Sequence, residues 1–292
     1  MDDQLSLSQT IRRRLNELPR AERLVARALL LGSPTIGLES STKLAELVGA
    51  SGPTVIRFVN RLGFATYAAF QEAWRAELDA RFETPVKQYQ RHQPETDGAR
   101  RLAGAAEAAA TAVRETLEQL PAEELELAAG LLADPRRRIV VFGGWFSQVL
   151  ARHLVALLQE VRAQVVLLET SPSQRATVLV DAGKRNVGVA FDFRRYEHDT
   201  LLVARHLAER GARIVLVTDQ WLSPVSNLAT AVLVARTSPV APFESLVPAT
   251  AVVETLAAAV VDRIGPAAGR RLEELTSISS TLIPSWAAPE EV

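Results

Sequence analysis

Ser41–Leu62, STKLAELVGASGPTVIRFVNRL, is the stretch from which the fold of this chain is read. Its first half sets Leu44, Ala45 and Val48 at helical spacing. Gly49-Ala50-Ser51 then interrupts the pattern. A second helix starts at Ser51, whose hydroxyl can cap the free amides of the next turn. Pro53 suits that first turn, where its missing N–H costs nothing. Val55, Val59 and Leu62 recur along one face, flanked by Ile56 and Phe58. The opposite face carries Thr54, Arg57 and Arg61, with Asn60 beside them. Two short helices joined by a tight glycine-containing turn, the second with a basic polar face, make the helix-turn-helix pattern suited to the major groove of DNA.

Outward from that motif the chain stays helical. Residues 5–18 and 21–31 carry apolar stripes, with Pro19 between them and Gly32-Ser33-Pro34 after them. Phe70, Trp74 and Leu78 fall on one face of a helix over about residues 66–82. Arg12-Arg13-Arg14 reads as a solvated helix face in preference to a phosphate contact, because three basic residues fall short of a binding run. Residues 83–98 are polar, contain two prolines and read as a linker. Two Ala/Leu/Glu-rich helices follow, at about 99–118 and 122–132, as arms or dimerisation elements.

From Asp134-Pro135 the pattern changes. Short apolar, β-branched runs at 139–142, 164–168, 187–191, 213–218 and 231–235 alternate with segments of helix length, the last of them Phe243 to Ile264. That alternation predicts a five-stranded parallel sheet with helices on both faces. Ligands of such sheets sit at the carboxyl ends of the strands, so the informative residues should follow Phe142, Leu168, Phe191 and Val217.

The 292 residues suggest two domains, and 48% hydrophobic content excludes wholesale disorder. Residues 1–91 carry 13 Lys+Arg against 10 Asp+Glu, while residues 92–292 carry 20 against 24. Between Glu46 and Glu72 the only charged residues are Arg57 and Arg61, so no carboxylate there opposes a phosphate backbone. The absence of cysteine excludes disulfides, thiolate metal sites and thiol catalysis. Met1–Leu15 lacks the layout of a secretory signal, and no apolar run approaches the length of a membrane span. These features read as a cytoplasmic protein.

Four strand-end features are candidates for a ligand. Gly143-Gly144-Trp145-Phe146-Ser147 offers backbone amides and a hydroxyl at a helix N-terminus, with the spacing of neither a dinucleotide fingerprint nor a phosphate-binding P-loop. Asp192 to Thr200, DFRRYEHDT, puts Arg194 and Arg195 where they could clamp a carboxylate or phosphate, or pair with Asp192, Glu197 or Asp199. Glu169–Ser173, including Ser171, and Thr218–Ser223 could line the same cleft. His92, His153, His198 and His206 show no metal-ligand spacing, and no catalytic triad assembles. Neither a metal nor a cofactor is expected.

Residues 5–82 resemble the N-terminal domain of RpiR-type bacterial transcription regulators. The resemblance rests on Thr42-Lys43-Leu44-Ala45-Glu46, Gly49-Ala50-Ser51, Thr54-Val55-Ile56-Arg57-Phe58, Leu62-Gly63-Phe64, Tyr67 and Phe70. Residues of about 135–265 resemble the sugar-isomerase (SIS) domain that family members carry after it, through Gly143, Ser147, Gly211-Ala212, Ser223-Pro224 and Leu228-Ala229. It implies an all-α helix-turn-helix domain at 1–82, a linker at 83–98 and an α/β SIS domain with leading helices at 99–292. It also implies a dimer or tetramer that binds a double-stranded DNA operator and answers to a small anionic effector, a phosphosugar or another anion.

On that reading Ser51, Gly52, Thr54 and Arg57 lie nearest the bases, with Asn60 beside them, and Lys43 and Arg61 meet phosphates. Gly144, Ser147, Ser171, Arg194, Arg195 and Thr200 hold the effector. Where the family has a Ser/Thr-rich loop after the third strand, this chain has Phe191-Asp192-Phe193-Arg194-Arg195-Tyr196. The competing expectations are a sugar-phosphate isomerase with Glu197 or His198 as general base, and a regulator whose SIS domain only oligomerises.

Overall fold

The structure, a computed structural model, describes residues 6–15, 17–31, 34–82, 84–91, 95–169, 171–237, 239–240 and 243–282. His92 lies outside them. The N-terminal region holds α1 (Leu7–Arg14), α2 (Arg20–Leu31), a 3-10 turn at Pro34–Leu38, α3 (Ser41–Val48), α4 (Gly52–Arg61) and α5 (Tyr67–Arg81). The caps follow the sequence. Ser6, Ser40, Ser51 and Thr66 each accept a hydrogen bond from a backbone amide of the first turn. Gly49 ends α3 at φ 67°, a left-handed conformation that favours glycine. Ile11, Val25, Leu44, Val55, Phe58 and Trp74 converge in one apolar core, with the Phe70 and Trp74 rings stacked at 6.0 Å.

Residues 83–98 are not a plain linker, since α6 (Pro85–Arg91) lies within them. α7 (Gly98–Gln119) and α8 (Ala122–Ala133) precede the sheet, whose strands alternate with helices: β1 (Arg138–Gly143), α9 (Gln148–Val161), β2 (Val165–Leu167), α10 (Pro172–Leu179), β3 (Asn186–Asp192), α11 (His198–Glu209), β4 (Arg213–Thr218) and β5 (Ala231–Val234). The order is β2-β1-β3-β4-β5, all parallel, as the alternating runs predict. Alternate strand residues serve opposite faces. Ile139, Val141, Val189 and Val217 pack with α8, α9 and α12 (Val247–Ile264), whereas Val140, Phe142 and Leu216 pack with α11.

Further elements escaped the pattern. Residues 239–240 and 243–244 form an antiparallel pair, β6 and β7, so the closing helix begins at Val247 and not at Phe243. A last helix, α13 (Pro266–Leu282), follows Gly265 and is tied to α9 by Arg271, which donates to the Gln159 carbonyl. No helix among the described residues is long and apolar enough to cross a membrane.

Candidate functional site

The first candidate surface is α4. Ser51, Arg57, Asn60 and Arg61 are exposed on it, while Val55, Phe58 and Val59 are buried beneath. Thr54 is buried, contrary to its expected place at the bases. Its hydroxyl lies 2.8 Å from that of Ser51 and accepts from Arg57 Nη2 at 3.1 Å, so it braces the residues on either side. Gly52 is partly exposed, with open space where a Cβ would be. Arg61, expected at phosphates, has a protein partner. Its Nε donates to Glu22 at 2.8 Å, and that buried carboxylate raises the Arg61 pKa above its ordinary value. Among the described residues Lys43 ion-pairs only with Glu46, at 3.4 Å, both side chains being more than half exposed.

The second candidate site is a cavity of about 280 Å³ at the carboxyl ends of β1 and β3. The turn Gly144 to Ser147 forms one wall; Asp192, Phe193, Arg194, Arg195 and Glu197 form the other. Trp145 stands at its edge, 82% exposed. Three backbone amides at this turn already have partners within the chain. Gly143 N donates to Gln148 Oε1 at 3.2 Å, Gly144 N to Ser147 Oγ at 3.0 Å and Trp145 N to Glu197 Oε1 at 2.5 Å. A Cβ on Gly144 would collide with the Glu197 carboxylate, so a larger residue there would move that side chain. Ser147 Oγ also donates to the Phe191 carbonyl at 2.7 Å, which braces the turn to β3.

The same self-pairing holds on the second wall. Asp192 accepts from Glu197 N at 3.2 Å and from the Ser223 hydroxyl. Burial pushes its carboxyl up to about 7, opposed by those two hydrogen bonds and reinforced by the charges of Asp219 and Glu197. Asp219, fully buried beyond β4, accepts from Tyr196 Oη at 2.7 Å, Trp221 N at 3.0 Å and Arg194 N. Burial raises its pKa and that of Tyr196.

The sequence-predicted ligand residues therefore divide. Gly144, Ser147, Arg194 and Arg195 come together around the cavity; Ser171 and Thr200 are not among its lining. Ser171 precedes α10 and caps nothing with its side chain. Thr200 is buried in the first turn of α11, its hydroxyl without a hydrogen-bond partner. Arg194 is occupied. It is ion-paired to Glu244, its guanidinium lies 4.9 Å from the Trp221 ring centre, and it donates to the Ala80 carbonyl near the end of α5. Arg195, exposed and at φ 75°, has no hydrogen bond or ion pair among the described residues. Sequence reasoning named Asp192 only as a partner for arginine, named Glu197 as such a partner or as a general base, and did not single out Asp219 or Glu244. The acidic residues inside the two strand-end loops were the available sign.

Arg194 also belongs to a seam between the two halves. Arg81 stacks over the Tyr196 ring at 5.0 Å, Ser6 Oγ donates to the Gln220 carbonyl at 2.6 Å, and both Arg12 terminal nitrogens donate to the Ser226 carbonyl at 3.1 Å. Burial lowers the Arg12 pKa, with Glu124 opposing it. Arg12 is thus an interdomain strut, neither a solvated side chain nor a phosphate ligand. The seam contacts loops after β3 and β4, the strand ends that form and back the cavity.

The SIS domain family matches residues 131–259. Among solved structures, the sugar isomerase domain of an RpiR transcription factor from Sphaerobacter thermophilus is 28% identical, with a TM-score of 0.54 over 58% of this chain and 94% of that one. The Vibrio vulnificus NanR protein complexed with ManNAc-6P is 18% identical, with a TM-score of 0.55 over 95% of this chain and 99% of that one, a likeness of fold. No curated protein matches the chain. Family match and parallel sheet agree: the chain carries a SIS domain, set behind a helical N-terminal region.

Proposed function

We propose that this protein is a DNA-binding transcription regulator, not an enzyme, whose operator affinity is set by a small effector in the SIS cavity. The observation that carries the reading is α4, a capped helix that exposes Ser51, Arg57 and Asn60 beside a tight turn after α3. The likeness of the SIS half to a domain of an RpiR transcription factor supports it. Residues 1–82 bind double-stranded DNA, residues 99–292 hold the effector and pair copies of the chain, and the α6-containing segment joins them. A two-fold dimer would match an inverted-repeat operator.

The effector carries an acidic group that meets Arg195, the cation of the cavity with no ion pair among the described residues. Binding there changes DNA affinity only if it favours one arrangement of the two halves. The seam through Arg194 supplies such a contact, because one side chain lines the cavity and also touches α5. The isomerase alternative gains little from this site, since of its two candidate bases Glu197 is held by the Trp145 amide and His198 does not line the cavity.

In vitro selection of DNA bound by the full chain tests the proposal. The expected product is an inverted repeat, bound more weakly or more tightly when effector is added. Failure to enrich any sequence, or turnover of aldose or ketose phosphates by the pure protein, overturns it.

A further inference from the structure

We infer that the effector is a small zwitterion, an amino-acid-like molecule that brings an ammonium as well as a carboxylate and carries no phosphate; this rests on the ligand-responsive reading above. The first ground is the state of the backbone amides. An anion at a strand-to-helix turn is held by free N–H groups. Here Gln148, Ser147 and Glu197 take three of the amides at the turn, those of Gly143, Gly144 and Trp145, and Asp192 takes that of Glu197. The Glu197 carboxylate occupies the place where an external anion would sit. A phosphate would have to displace it from the Trp145 amide.

The second ground is charge balance in the cavity. Arg194 is neutralised by Glu244 and engaged with α5, which leaves Arg195 as the cation open to a ligand. One guanidinium suits one carboxylate. Glu197 lines the same cavity and suits a positive group, with Trp145, Phe146 and Phe193 as aromatic lining. A molecule with both charges satisfies both sides, and a volume of about 280 Å³ admits one the size of an amino acid. Arg195 holds a left-handed backbone conformation, a strain that fits a residue placed for a ligand.

The test uses the full chain, with thermal shift and calorimetric titration. The probes are inorganic phosphate, glucosamine 6-phosphate, and the standard α-, β- and γ-amino acids. For any binder, the deaminated and decarboxylated analogues follow. The expected result is binding by at least one amino acid, with both truncated analogues weaker by about tenfold or more. Glu197→Gln should lose discrimination against the deaminated analogue, and Arg195→Gln against the decarboxylated one. Unchanged melting of each unliganded variant excludes misfolding.

Tighter binding of either phosphate probe than of every amino acid overturns the inference. So does binding by no amino acid, or discrimination that survives both substitutions. Operator binding on the same preparation separates the two proposals. Selected DNA released by a phosphosugar keeps the regulator and removes the zwitterion; amino-acid binding without any DNA preference does the reverse.

Discussion

On α4 the internal needs of the helix are met by Ser51 and Thr54, and Arg57 and Asn60 remain exposed to an external partner. At the ends of β1, β3 and β4 the arrangement is reversed. Three turn amides, the Ser147 and Ser223 hydroxyls and the carboxylates are paired within the chain, and among the described residues Arg195 alone of the charged residues lining the cavity stands without a partner. The difference separates two ways of making a polar site. A surface for DNA keeps its donors solvated until phosphates and bases replace the water. A buried cleft must satisfy its polar groups within the chain, because an unpaired one costs about 1–3 kcal/mol. A ligand there has to match the residual charge pattern or displace an internal partner.

The largest expected effect tests whether the exposed surface depends on a separate core. Trp74 is almost fully buried and stacks on Phe70. Trp74→Ala should cost the helical region about 3–5 kcal/mol and abolish specific DNA binding. Urea unfolding with fluorescence and circular dichroism checks it. If the SIS half keeps its own transition, the two regions are energetically distinct. A single shifted transition would mean that the seam at Arg12, Arg81 and Arg194 joins them into one unit.

Asp192 gives the next effect, on the self-paired side. Its folded pKa, about 7, lies above the ordinary 3.8, so the folded chain binds this proton more tightly than the unfolded one. The stability it contributes is complete below about pH 4 and is lost as pH rises through about 7. Across that window Asp192→Asn should remove a slope worth at most about 4 kcal/mol. The measurement is the difference in unfolding free energy between wild type and variant at about pH 5 and about pH 8. Parallel pH curves for the two proteins would show that Asp192 is not the titrating group.

The contrast also explains what could be read in advance. The α3–α4 turn and the parallel sheet were legible because their marks are local: Ser51, Pro53 and Gly49 at fixed offsets, and β-branched runs separated by helix lengths. The cleft was not, because its decisive pairs are distant in sequence. Glu197 meets Trp145 across 52 residues, and Arg194 meets Ala80 across 114. An Arg-Arg pair at a strand end reads as an anion clamp until Glu244, beyond β5, is known to neutralise one of the two. Arg12 misled for the same reason, since its acceptor is the Ser226 carbonyl. The short β6–β7 pair and α6 fell below the length at which periodicity speaks.

Arg57→Ala should act only through DNA. If its guanidinium, steadied by Thr54, pairs with a guanine, the variant loses about 1–3 kcal/mol at one base pair and relaxes preference there. Binding to a panel of single-base operator variants measures this. A uniform loss across the panel would move Arg57 to the phosphate contacts.

The smallest effects divide Lys43 from Arg61, which the sequence assigned the same role. Lys43 makes a single exposed ion pair of little consequence for stability. Lys43→Ala should therefore leave the melting temperature unchanged and lower the slope of log affinity against log salt by about 0.9, the contribution of one phosphate contact. Arg61→Ala removes the partner of a buried carboxylate, so it should lower the melting temperature of the helical region whether or not DNA is present. Salt titration of operator binding, alongside melting of the free protein, resolves the two. If Arg61→Ala melts like wild type and only its salt slope falls, Glu22 is dispensable and Arg61 belongs with Lys43 on the exposed side of the comparison. If its melting falls and its slope is unchanged, part of the apparent DNA surface is internal scaffold, as in the cleft.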